Sequence, residues 1–167
     1  ALPGVSSVYR GGVVSYWTEV KAAVLGVPQP LLDQYGAVSE ECARAMAEGA
    51  RRITGADLAV SVTGVAGPDP DERGVPVGIV YIGLATPEGT FCRKMDSGRR
   101  RRDRIQALAA NHAFDLIPSR RRPWRAIPED RTGKRPVTQV KRERRPEWSP
   151  LSFFLRLIIP APHPAPS

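Results

Sequence analysis

Residues 1–117 predict a layered α/β domain, and residues 118–167 predict an unpacked basic tail. Three observations carry this reading. Two nearly continuous apolar runs, Leu58 to Thr63 and Val77 to Thr86, have the pattern of strands buried on both faces. Helical patterns with one apolar face lie on either side of them in the chain. Composition then breaks near Ile117. The first 117 residues hold 13 Lys+Arg against 13 Asp+Glu, and the last 50 hold 12 against 4, which accounts for the whole formal net charge of +8.

Each element follows from local chemistry. Gly11-Gly12-Val13-Val14-Ser15-Tyr16 reads as a short strand. Thr18 is placed to cap a helix through Leu25, closed by Gly26 and Pro28. Ser39 caps a stronger helix through Thr54, with Gly55 as its stop. In that helix Cys42, Met46, Ala50 and Ile53 share one face, while Glu40/Arg44 and Glu48/Arg52 form i,i+4 pairs elsewhere. After the two buried strands, Pro87-Glu88-Gly89 turns the chain into a weaker strand at Phe91 to Met95. A last helix runs from Arg102 to Ile117, with Ile105, Leu108, Ala109, His112 and Leu116 inward, which makes His112 a core histidine. The tail carries 10 of the 17 prolines and ends in Pro160-Ala-Pro-His-Pro-Ala-Pro166, so it is expected to be disordered and in part polyproline-like.

Composition also excludes several classes. A length of 167 residues suits one domain with a real core. No apolar run reaches the roughly 18 residues that a membrane-spanning helix needs, and the longest, Leu151 to Ile159, contains Arg156. Cys42 and Cys92 form neither a disulfide framework nor a CxxC pair, and His112 and His163 are the only histidines. No metal or cofactor is therefore expected. The two cysteines read as small buried thiols in a reducing cytoplasm. Ala-Leu-Pro-Gly at the N-terminus has neither a start methionine nor a signal-peptide layout, and reads as a chain that begins within a domain.

Two places carry candidate chemistry. With Thr18 as N-cap, Lys21 falls at the third helical position, where the positive end of the helix dipole opposes an ammonium. Burial there would lower its pKa and make it a general base, of the kind that activates serine in Ser–Lys hydrolases. Read alone, a lysine at such a turn more often points to solvent, at a cost of a few tenths of a kcal/mol. The second place is Thr63-Gly64-Val65-Ala66-Gly67-Pro68-Asp69-Pro70, directly after a buried strand. Glycines at a strand's carboxyl end let backbone amides approach a ligand or an oxyanion. The loop is neither GxGxxG nor a P-loop, and taken alone such a loop is more often just a turn.

Together these blocks resemble a known family. Gly11-Gly12-Val13-Val14-Ser15-Tyr16-Trp-Thr-Glu19-Val-Lys21, Leu25-Gly26-Val27 and Gly36-Ala37-Val38-Ser39-Glu40 resemble the CinA C-terminal domain family. Ala45 to Ala50, Gly55-Ala56-Asp57, Thr63 to Pro68 and Pro76-Val77-Gly78 continue the resemblance in order, so it spans most of residues 1–117. It implies a three-layer α/β/α fold. It also implies the activity of bacterial nicotinamide-nucleotide amidases, which convert nicotinamide mononucleotide to nicotinate mononucleotide and ammonia without a metal. The family's Tyr-x-x-Glu-x-Lys block places the assisting tyrosine and lysine at Tyr16 and Lys21. Gly11, Gly12, Thr63, Gly64, Ala66 and Gly67 are the implied substrate-binding positions. A cytoplasmic location is implied as well, and homo-oligomerisation is left open.

The departures shape the expectation. The family's nucleophilic serine lies in a Glu-Ser-Cys-Thr-Gly-Gly stretch that occurs nowhere in this chain, and the resemblance places it upstream of Ala1. The chain is thus expected to lack the nucleophile together with the first strand and helix, and to be inactive alone. Trp17-Thr18 stands where the family commonly has Ser-Asn, and Gly98-Arg99-Arg100 where it has Gly-Asp-Arg. Residues 118–167 resemble nothing in the family.

A reading from a different class rests on the tail. Its 12 basic residues, with Trp124 and Trp148 interleaved, could bind phosphates and stack on bases, making the chain a nucleic-acid-binding or scaffolding protein. A solvated, disordered tail is the reading that composition favours. In either case the tail is expected to dominate any polyanion binding. Removing residues 118–167 should abolish retention on DNA at low salt, and the intact chain's affinity should fall steeply as salt rises. Equal binding by residues 1–117 would place that charge effect elsewhere.

Overall fold

The protein is seen as a computed structural model that describes residues 5–117. Every expectation made for residues 118–167 lies outside the described residues. A short 3-10 turn, Val5–Ser7, precedes helices α1 (Thr18–Leu25), α2 (Gln29–Tyr35) and α3 (Glu40–Thr54). Strands β1 (Ala59–Gly64), β2 (Ile79–Thr86) and β3 (Gly89–Asp96) follow, and α4 (Arg102–Leu116) closes the order.

The strands form an antiparallel meander with β2 at its centre. Ala59 pairs with Ala85 and Gly64 with Val80 on one side of β2, and Ile79 pairs with Asp96 and Thr86 with Gly89 on the other. Because β2 is central and covered on both faces, nearly its whole length is buried, as its apolar run requires. Val80, Ile82 and Leu84 pack with Ile105, Ala109 and Leu116 of α4. Gly83, pointing the other way, meets the backbone of Ala43 in α3. Helices therefore cover both faces of the sheet, in a three-layer α/β/α arrangement. Burying side chains such as Ile82, Leu84 and Ile105 contributes about 1.5–3 kcal/mol each.

A second apolar cluster, Leu25, Val27, Leu32, Cys42 and Met46, joins α1 and α2 to α3. The termini of α3 follow from its sequence. The Ser39 hydroxyl accepts the Cys42 N–H at 3.1 Å, and Gly55 adopts the left-handed conformation that ends the helix.

Five features differ from the sequence reading. No ladder forms at Gly11–Tyr16: the segment has no regular structure and Val13 and Val14 are exposed, because no strand among the described residues pairs with it. Trp17, not Thr18, is the N-cap of α1, and no side chain caps it, so Lys21 moves to the fourth helical position. Helix α2 was not anticipated. Pro28 and Pro30 flank its start, where a missing N–H costs nothing. The buried stripe of α3 is Cys42, Ala43, Met46, Ala47 and Gly49, while Ile53 is exposed. Small residues let the helix backbone approach its neighbours, so the contact follows them rather than the larger Ile53. Finally, β1 is an edge strand with an alternating pattern in which Ser61 and Thr63 are buried and Val62 is exposed. Ser61 offsets its burial by donating to the Ala43 carbonyl at 2.5 Å.

Candidate active site

The candidate site gathers where β1 ends and α3 begins. Lys21 reaches it from α1, where it lies one turn before Leu25, and the two side chains share a face. Leu25 is 3% exposed and Lys21 only 6%. Packing of that face against α3 thus carries the ammonium inward, and the solvent-pointing alternative does not occur. Lys21 Nζ donates to the carbonyl oxygens of Ser15 at 2.5 Å and Tyr16 at 3.3 Å. Among the described residues no carboxylate pairs with it.

Burial without a counter-charge lowers the Lys21 pKa from its ordinary value of 10.5, and the nearby Cys42 thiol partly opposes this. Burial also pushes the Cys42 thiol up to about 11, so it faces Lys21 as a neutral group at pH 7. The sign for stability follows from the direction. Between the lowered value and 10.5 the unfolded chain binds more protons than the folded one. Burial of the charged amine therefore costs stability at low pH, and that cost is relieved as pH rises through the lowered pKa. Cys92, in β3, is pushed up to about 12 chiefly by burial.

A chain of contacts ties this lysine to the glycine loop. Cys42 is held by the Ser39 cap, and Ser39 Oγ itself donates to the Gly36 carbonyl at 3.0 Å. Thr63, buried at the end of β1, donates from Oγ1 to the neighbouring Ala37 carbonyl at 2.6 Å. Gly64 continues the β1–β2 pairing, and a Cβ there would lie 2.7 Å from Val80 Cγ2. Val65 donates to Ile79 and accepts from Gly78, while Ala66 packs onto the cluster beneath α4. The Gly67 carbonyl accepts from Arg102 Nη1 at 2.9 Å.

The structure brings together some of the anticipated residues and not others. Lys21 and Thr63 both come to the start of α3, Lys21 beside Cys42 and Thr63 through Ala37, while Gly67 at the other end of the segment faces Arg102 of α4. Tyr16 contributes its backbone carbonyl, but its side chain is 80% exposed and does not reach the amine. Gly11 and Gly12 lie in the exposed arm before α1. His112 is only partly buried on α4, at the margin of the face expected to hold it. The sequence reading missed the Ser15 carbonyl, six residues from Lys21, and Arg73 and Arg102, whose contacts span 35 to 41 residues of chain. A local signal for Lys21 exists: an apolar Leu25 four residues on marks its face as the inner one. Among the described residues no three His, Cys, Asp or Glu side chains cluster as a metal set, and no helix is long and apolar enough to cross a membrane.

Chemically, the arrangement is a buried primary amine held by two neutral carbonyls beside a glycine-rich strand end. In its neutral form the amine's two N–H bonds satisfy those carbonyls, which leaves the lone pair to accept a proton. The fold and site define an α/β/α domain with a buried lysine held by backbone carbonyls. The sequence model of the CinA C-terminal domain matches residues 1–120, and the chain belongs to that family.

Relatives agree with this. A competence-damage inducible protein of Desulforudis audaxviator is 53% identical over 94 residues, covering 56% of this chain and 23% of that protein. One from Geobacillus kaustophilus is 55% identical over 108 residues, covering 64% and 26%. The chain thus spans about a quarter of the length of the curated relatives it matches. Among solved structures, the competence/damage inducible protein CihA of Agrobacterium tumefaciens superposes with a TM-score of 0.66 at 34% identity, covering 69% of this chain and 70% of that one. The competence damage-inducible protein A of Klebsiella pneumoniae gives a TM-score of 0.66 at 31% identity, covering 69% and 71%.

Proposed function

We propose that this chain carries the base and the amide-lined loop of a nicotinamide-nucleotide amidohydrolase. Its nucleophile would come from the serine-bearing stretch that the family resemblance places before Ala1. The observation that supports the reading most is Lys21, 6% exposed, donating to two carbonyl oxygens beside a neutral thiol and, among the described residues, paired with no carboxylate. Such an amine serves poorly as a structural cation, and its lowered pKa favours the neutral form that a base needs.

The reaction is acyl transfer to water. The serine Oγ bonds to the carboxamide carbon while its proton passes to Lys21 Nζ, directly or through the Tyr16 hydroxyl. The second route needs Tyr16 to turn inward from its exposed position. Backbone amides of the segment beyond Val65, whose own N–H is taken by the Ile79 carbonyl, would steady the oxyanion. As the tetrahedral adduct collapses the C–N bond breaks, Lys21 returns the proton to nitrogen, and ammonia leaves. Water, deprotonated by the same amine, then cleaves the ester to release the acid and regenerate serine.

Ammonia release from nicotinamide mononucleotide tests this. The 167-residue chain should release none above background, and a chain extended upstream through the serine should turn over. Comparable release from both would overturn the division of labour and make Ser15, whose carbonyl touches Lys21, the nearest nucleophile.

A further inference from the structure

We propose that Arg73 is a positioning residue, a strut that holds the Thr63–Gly67 segment against the turn between α2 and α3. The last carbonyls of a helix have no partner within it and carry the negative end of its dipole. The Arg73 guanidinium meets that need, with Nη2 donating to Leu32 O at 3.1 Å and Asp33 O at 2.5 Å, and Nη1 donating to Gln34 O at 3.1 Å.

The fit extends to the side chain's stem. A Cβ on Gly36 would sit 2.6 Å from Arg73 Cδ, and Gly36 has φ +83, so only glycine leaves the strut its path. Arg73 itself stands on a braced turn. Asp71 Oδ1 accepts the N–H of Arg73 at 3.0 Å and that of Val75 at 2.7 Å, and the Asp71 carbonyl accepts from Gly74 at 2.9 Å.

The placement gives this tether its consequence. Thr63, at the start of the segment, is latched to Ala37, and Arg73, beyond its end, is fastened across Leu32 to Gln34. Both attachments fall on one short stretch, which continues into Gly36 and the Ser39 cap beside Cys42 and Lys21. Residues 63–73 thus form a loop closed at two points on the stretch that leads into α3, whose Cys42 lies beside Lys21. Arg73 touches no group proposed to react, and acts only by fixing where the loop's amides stand. That the loop binds substrate rests on the amidase reading, whereas the strut itself does not.

Hydrogen–deuterium exchange of the intact 167-residue chain tests the strut. Arg73→Ala should raise exchange in peptides covering residues 64–78 by at least about tenfold and leave those of α3 and β2 unchanged. Arg73→Lys, whose ammonium lacks the planar fork that spans several carbonyls, should fall between. In the chain extended through the serine, Arg73→Ala should raise KM for nicotinamide mononucleotide more than it lowers kcat. Unchanged protection of 64–78 in Arg73→Ala would overturn the proposal, as would a uniform rise through α3 and β2. Absence of turnover in every extended chain would sink the amidase reading and leave the exchange result to decide the strut.

Discussion

Replacing Lys21 by arginine, in a chain extended upstream through the serine, is expected to remove nearly all amidase turnover while substrate still binds. Arginine keeps the positive charge but stays protonated, so it cannot accept the serine proton. A positioned general base contributes about 10²–10⁴-fold, and the loss should fall in that range. Because the Lys21 pKa is lowered by burial, kcat/KM of the unmutated protein should rise with pH through that lowered value and level off below 10.5. In Lys21→Arg this limb should vanish. Circular dichroism on both proteins separates loss of the base from loss of the fold. A variant that folds and turns over near-normally would remove Lys21 from the mechanism.

The largest effect on stability is expected from a much smaller change. Gly49 lies in the interior of α3, where helix propensity alone predicts that alanine would stabilise by about 1 kcal/mol. Packing predicts the opposite. A Cβ on Gly49 would overlap the backbone carbonyl of Leu25, which also accepts a hydrogen bond from Arg52 Nη2 at 3.0 Å. No rotamer relieves a clash with backbone, so α1 must move away from α3. Overpacking of this kind costs about 1–3 kcal/mol or more, and should outweigh the propensity gain. Because α1 carries Lys21, the same shift should disturb the site. Urea unfolding of Gly49→Ala should show a lowered midpoint with an unchanged slope. A raised midpoint would mean that the helices are not in backbone contact there.

What the sequence revealed, and what it hid, divides along the same line between local and long-range chemistry. Helix α3 was legible because Ser39 and Gly55 mark its ends by local chemistry, and β2 was legible because its apolar run reports burial on both faces. Gly11–Tyr16 looked like a strand because its pattern is local, whereas a strand exists only when a partner supplies the ladder. Pro28 marks the end of α1 in the sequence, whereas in the fold Pro28 and Pro30 also open α2, which no long apolar pattern announces. The edge position of β1 was hidden because Leu58 to Thr63 reads as one apolar run, whereas Ser61 and Thr63 turn inward and each satisfies its hydroxyl with one hydrogen bond, to Ala43 in α3 and to Ala37 just before it. At the site, capping rules placed Lys21 near a helix start but could not say which side of α1 faces α3. The Arg73 contacts, 39 to 41 residues away in sequence, left no local mark.

The most direct test of the account is the titration of the Lys21 amine, observed through the side-chain carbon resonances of isotopically labelled lysine in the folded chain. Lys21→Arg identifies the Lys21 signal by its loss. Held at 6% exposure by two carbonyls and, among the described residues, paired with no carboxylate, that amine should lose its proton with a midpoint clearly below 10.5. Unfolding in denaturant should return the midpoint to the ordinary value. A Lys21 that titrates at or above 10.5 in the folded protein would contradict the account, because an amine held that firmly protonated could not serve as the base.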